Sequence, residues 1–143
     1  MTLGDLLRIK GSVDILKIGA SECIADAATK LTENGIGALL VEDSSGDITG
    51  ILSERDIVGA MGTHGADLHD VPVSQLMTVN LIRCNPANSI NEAMAMMTDR
   101  HIRHLPIFEG DDLVGFISLG DLVKCRISEV QAEADAMRQY IAS

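Results

Sequence analysis

An α+β fold built from two copies of one β-α-β-β-α unit is predicted by three observations. The sequence repeats itself in a fixed register, each copy carries one apolar stripe at helical spacing, and each carries two short β-rich runs joined by a Gly/Asp turn. From Val13 to Asp43 the chain matches Val79 to Glu109 at an offset of 66, with Val13/Val79, Ile24/Ile90, Ala27/Ala93, Thr32/Thr98, Ile36/Ile102 and Leu39/Leu105 identical. After a one-residue deletion the offset becomes 65 and pairs Asp47 with Asp112, Gly50 with Gly115, Ser53 with Ser118, Asp56 with Asp121 and Val58 with Val123. A register broken only at a loop is an internal duplication.

The elements follow in order. Thr2–Leu7 and its counterpart Pro72–Met77, at an offset of 70, are short segments that each precede a repeat. Ile24, Ala27, Ala28 and Leu31 stand at i, i+3, i+4 and i+7, as do Ile90, Ala93, Met94 and Met97, which predicts one amphipathic helix per copy after an extended segment. Ala38–Val41 and Leu105–Phe108 are β-rich runs that turn through Asp43–Asp47 and Glu109–Asp112 into Ile48–Leu52 and Leu113–Ile117, a hairpin in each copy. Pro106 has no amide to give a ladder, so its strand is expected to be irregular or at an edge. A second helix closes each unit, and Gly59–Pro72 reads as the connector between copies. Ile127, Val130, Ala134, Met137 and Ile141 then follow alternating three and four spacing on a C-terminal amphipathic helix that packs on its own body or on a second subunit. The predicted boundaries are 1–68 for the first unit with its N-terminal segment, 69–126 for the second and 127–143 for the terminal helix.

Composition narrows the function classes. The 143 residues can hold one ordinary domain or two very small ones sharing a core, and with only Phe108, Phe116 and Tyr140 as aromatics that core must be aliphatic. A net charge of -10 disfavours nucleic-acid backbones and anionic membrane surfaces, so an anionic ligand needs a local cationic cluster. Apolar runs are too short to span a bilayer, and Met1-Thr2-Leu3-Gly4-Asp5 lacks the features of a secretory leader. Cys23, Cys84 and Cys125, odd in number and without CxxC spacing, fit reduced thiols in a cytoplasm.

The repeated word Gly50-Ile51-Leu52-Ser53-Glu54-Arg55-Asp56 and Gly115-Phe116-Ile117-Ser118-Leu119-Gly120-Asp121 carries the chemistry. A serine followed three residues later by an acid at a helix start is a capping box, which needs nothing but a helix. The same carboxylate can also accept from both vicinal hydroxyls of a ribose, with first-turn amides left for a phosphate. Arg100, His101, Arg103 and His104 place four cationic or titratable groups within five positions of an otherwise acidic chain. They suit either a helix C-terminus or a phosphate.

With GIGALLVED (35–43), GILSERDIV (50–58), HIRHLPIFE (101–109) and GFISLGDLV (115–123) in one doubled order, the chain resembles the CBS domain pair, or Bateman module, of stand-alone prokaryotic type over residues about 10 to 126. The resemblance implies two units about a pseudo-twofold axis with small mixed sheets, two clefts for adenosine-containing ligands such as AMP, ADP, ATP, NAD or S-adenosylmethionine, and a flat homodimer. It further implies that Asp121 and Ser118 meet ribose in one cleft, with Arg103 and His104 on phosphate, and that Asp56 and Ser53 serve the other, with Arg55 as a substitute cation. Adenine contacts map onto Lys17, Ile18 and Ala20 for the first cleft and onto Arg83 and Asn85 for the second, and Ile36 and Ile102 complete the set. Because Gly37-Ala38 stand where the second copy has Arg103-His104, the Asp121 cleft is expected to favour phosphorylated adenosine.

His64 and His69 with Asp67 and Asp70 lack the spacing of a metal site, and no P-loop or nucleophile constellation appears, so no catalytic cofactor and no enzyme activity are expected. The leading expectation is a sensory module read by an unidentified regulated protein. The competing expectation is a structural dimerisation module with degenerate clefts.

Overall fold

The computed structural model describes residues 1–11 and 15–142; Val13, which opens the repeat register, lies outside them. The chain divides into two units, Ile15–Leu81 and the pair of segments Met1–Asp14 and Ile82–Ser143.

In the first, β1 (Lys17–Gly19) lies parallel to β2 (Ala38–Glu42), which pairs antiparallel with β3 (Ile48–Ser53). Between β1 and β2 runs α2 (Ile24–Asn34), whose buried Ile24, Ala27 and Leu31 are the predicted stripe. Gly35, with φ 61°, ends it in the left-handed conformation that glycine adopts at least cost. After β3 come α3 (Glu54–His64) and a 3-10 turn (Gly65–Asp70) whose Leu68 is buried. With Val71 also in the core, the predicted connector is a packed part of this unit.

In the second unit, β4 (His104–Glu109) and β5 (Asp112–Ser118) form the hairpin. The position held by β1 in the other copy is reduced to one parallel bridge from Cys84 to Ile107. Pro106 lies opposite Phe116 on a strand of a two-stranded sheet, an edge position as expected, and its carbonyl accepts from the Cys84 amide at 3.2 Å. Each hairpin is interrupted by an irregularity at equivalent places, Val41/Glu42 and Ile107/Phe108. Helix α5 (Ile90–Arg100) carries the second predicted stripe. The closing helix does not stop at 126: α6 is continuous from Leu119 to Ala142. The sequence between the two apolar patterns holds no Pro or Gly to break it.

The N-terminal segments are exchanged relative to chain order. Helix α1 (Leu3–Lys10) buries Leu3 and Leu6 in the core of the second repeat, and the short α4 (Val73–Leu76) buries Val73 in the core of the first. The bonds are the same in both: Leu3 and Gly4 amides donate to Asn88 and Pro86 carbonyls at 2.8 and 2.9 Å, and Val73 and Ser74 amides to Glu22 and Ala20 carbonyls at 2.8 and 3.0 Å. The 1–68 grouping predicted from chain order thus differs from the packing, because each segment finds its apolar partners one repeat away.

The paired glycines make room for these segments. A Cβ on Gly115 would stand 2.6 Å from Leu7 Cδ2, and one on Gly50 would stand 2.8 Å from both Met77 Sδ and the Thr78 carbonyl oxygen. Both cores are aliphatic, and no helix of the described residues is long and apolar enough to cross a membrane.

Candidate functional site

Both copies bring a serine and a carboxylate to the head of the closing helix. The Asp56 Oδ2 accepts from the Ser53 amide at 2.9 Å while Ser53 Oγ accepts from the Asp56 amide at 3.2 Å. The Asp121 Oδ2 accepts from the Ser118 amide at 2.9 Å while Ser118 Oγ accepts from the Asp121 amide at 3.1 Å. The capping boxes read from the spacing are therefore made in full at both positions. All four side chains remain half-buried at the surface.

The hairpin brings the preceding strand to the same place. His104 lies opposite Ser118 in the ladder, and the Arg103 carbonyl accepts from the Leu119 amide at 2.8 Å. In the other unit Ala38 lies opposite Ser53, and the Gly37 carbonyl accepts from the Glu54 amide at 2.9 Å. The same backbone frame thus carries an arginine and a histidine beside one carboxylate and a glycine and an alanine beside the other. His104 stacks on Phe116 with ring centroids 5.7 Å apart, and Arg103 is exposed. His101 caps α5 in the left-handed conformation that Gly35 holds in the first copy.

A residue that the sequence reading did not single out joins this group. Lys10, in the last turn of α1, places Nζ 3.2 Å from Asp121 Oδ2, with the lysine 35% and the aspartate 28% exposed. Partial burial pushes the Asp121 carboxyl up, but the Ser118 amide, Lys10 and the Ser118 side chain together outweigh it and hold the group below the usual aspartate range. Between the pairing that ends at Leu7/Met77 and the register that opens at Val13/Val79 the second copy has only Thr78, so the repeat does not reproduce this cation.

The remaining predicted residues are placed as follows. Ile18 is buried in the core at the centre of β1, so its side chain is closed to a ligand. Lys17 lies 3.9 Å from Glu42 and its carbonyl accepts from Lys30. The Ala20 amide and carbonyl are spent on Glu42 and Ser74. Arg83 stacks over the Phe108 ring at 4.1 Å. The Asn85 side chain accepts from the Ala87 amide at 2.8 Å and shapes its own turn. Arg55 is exposed beside Asp56, and Ile36 and Ile102 are half-buried against the two cores.

Known proteins share the duplicated fold. The CBS domain family model matches residues 12–63 and 73–128. The chain is 31% identical to the CBS domain-containing protein YhcV of Bacillus subtilis, over 85% of each chain. Among solved structures it is similar to the CBS-domain containing protein ATU1752 from Agrobacterium tumefaciens, with 39% identity, a TM-score of 0.84, and 87% of this chain and 92% of that one covered. It also shares its fold with the CBS domain pair of protein MJ0100, solved in complex with 5'-methylthioadenosine and S-adenosyl-L-methionine, at 20% identity, a TM-score of 0.78, and 90% and 98% coverage.

Proposed function

The chain belongs to the CBS domain family, and from that footing we propose that it is a non-catalytic regulatory module that binds adenosine nucleotides, AMP, ATP or NAD, through Asp121 and Asp56. CBS pairs are regulatory modules in general, and one neighbour of the same fold holds two adenosine-containing ligands.

The observation that carries the reading is the duplicated carboxylate at a helix head. A capping box alone accounts for the Oδ2 bonds, yet a carboxylate has about four lone-pair positions, so one oxygen can hold the helix while the group still accepts a ribose diol. Lys10 pairs with Asp121, and Arg103 and the titratable His104 stand at the start of the strand that faces Ser118, which supports an anionic ligand on a chain of net charge -10. Beside Asp56 the strand carries Gly37 and Ala38, so this copy suits an uncharged adenosine arm, with Arg55 as its nearby cation.

We assign the working form to a cytoplasmic homodimer joined along α6, because Ile127, Val130, Met137 and Ile141 are 62%, 49%, 63% and 79% exposed on that helix. The three cysteines, none of them paired, fit a reducing compartment. The output is a change passed to a regulated protein.

A thermal-shift panel with AMP, ADP, ATP, NAD and S-adenosylmethionine tests the reading. Ligand at a hundredfold excess over Kd stabilises by about 2.7 kcal/mol, which moves the midpoint by several degrees at roughly 3 °C per kcal/mol for a chain of this size. Asp121→Asn keeps an oxygen acceptor for the cap and removes the charge, so it should abolish the AMP shift while leaving the ligand-free midpoint close to wild type. Silence of the wild type across the panel leaves the paired scaffold as the function.

A further inference from the structure

We propose that Lys10 is the specificity-determining residue of the Asp121 site: its ammonium occupies the carboxylate when the site is empty, and it transfers to phosphate when a nucleoside 5'-phosphate binds. This rests on the reading of Asp121 as the ribose acceptor.

The geometry supplies both halves of the exchange. Lys10 and Asp121 lie 111 residues apart in sequence, yet Nζ reaches Oδ2, the same oxygen that holds the Ser118 amide. The helix that carries it is fixed: Leu3 is fully buried, Leu6 nearly so, and a complete capping box between Thr2 and Asp5 closes its first turn. Only the lysine stem, four methylenes long and rich in rotamers, has to move for the ammonium to leave. The pair is partly exposed and makes a single bond, so a ligand can displace it.

A ribose diol that bridges both carboxylate oxygens needs the Oδ2 position that Lys10 holds beside the Ser118 amide, so it competes with this ammonium. An uncharged nucleoside breaks the ion pair and leaves the lysine with no anion in exchange. A nucleoside 5'-phosphate breaks the same pair and offers a stronger, doubly charged partner. One side chain therefore penalises adenosine and favours AMP. Thr78, which alone stands between the Leu7/Met77 and Val13/Val79 pairings in the second copy, performs neither task, and this separates the two copies by chemistry.

Isothermal titration of the full chain with AMP and with adenosine, in an Asp56→Asn background that silences the other carboxylate, tests the exchange. Lys10→Met keeps the apolar stem and removes the charge. It should weaken AMP by about tenfold, the usual scale of one charge-assisted bond, and strengthen adenosine by a few-fold. Lys10→Arg should keep the preference for AMP. A Lys10→Met variant that moves both ligands by one factor, or neither, overturns the proposal while the ribose site stands if Asp121→Asn still abolishes AMP binding. Failure of both ligands to bind the Lys10-containing protein overturns the ribose reading and this proposal together.

Discussion

Replacing Gly115 by alanine and Gly50 by alanine should give different losses for a reason visible in the contacts. Neither glycine has a positive φ, so alanine meets no backbone strain, and the stiffer unfolded chain works in its favour by about 0.4–1 kcal/mol. Against this stands overpacking, about 1–3 kcal/mol in a well-packed site. At Gly115 the new methyl meets Leu7 Cδ2 at 2.6 Å and Cδ1 at 3.0 Å, the far end of a half-buried side chain that can rotate. At Gly50 it meets the Thr78 carbonyl at 2.8 Å, and that carbonyl is pinned by the Ile51 amide at 3.0 Å while the Thr78 amide donates back to Ile51 at 2.9 Å. Gly115→Ala should therefore cost about 1 kcal/mol and Gly50→Ala about 2 kcal/mol, midpoint losses of about 3 and 6 °C. The cycle with Leu7→Ala should recover about 1 kcal/mol of coupling with Gly115→Ala. Met77→Ala, which removes the sulfur contact and leaves the carbonyl, should recover much less for Gly50→Ala. Urea melts with unchanged m-values measure all six variants. Equal coupling in the two cycles, or a neutral Gly50→Ala, would refute the claim that these glycines exist to seat the exchanged segments.

Three further outcomes follow from the described contacts. Asp121 titrates below an ordinary aspartate, because the Ser118 amide and Lys10 outweigh the opposing effect of burial. Its stabilisation is therefore full above the unfolded value of about 3.9 and is lost as pH falls through the lower folded value. Wild type should lead Asp121→Asn by under about 1 kcal/mol at pH 7 and lose that lead as pH falls below the unfolded value, read from thermal midpoints. His101→Gly should raise the midpoint by about 3 °C by removing a left-handed histidine worth about 1 kcal/mol of strain; a fall would mean that its side-chain interactions outweigh the strain. Of the three thiols, Cys23 should react quickly with a disulfide reagent, whereas Cys84 and Cys125, 3% and 8% exposed and pushed up by burial, should react only on unfolding.

The duplication made the fold readable, because stripes such as Ile24-Ala27-Leu31 and turns such as Glu109-Gly110 encode local structure through spacing alone. The Ser53–Asp56 and Ser118–Asp121 boxes were readable for the same reason, being contacts three residues apart. What escaped was non-local. No periodicity states that Leu3 covers the second repeat or that Lys10 reaches Asp121, because both depend on where a helix lands after folding. Gly50 and Gly115 were visible as repeated residues, but the side chains they accommodate were not. Ile18 was assigned to a ligand surface, yet the alternation of a three-residue strand turns its side chain to the core. The apolar patterns on either side of 126 lie on one continuous helix, Leu119–Ala142.

The exchange of α1 and α4 also orders events during synthesis. Residues 15–81 contain everything their unit needs in one uninterrupted stretch, α4 included, and can close as soon as they emerge. Helix α1 is made before that stretch, but the strands and α5 that cover Leu3 and Leu6 come from beyond residue 81. A helix made ahead of the first repeat is thus partnered only after it, and its apolar side must stay uncovered while that repeat folds.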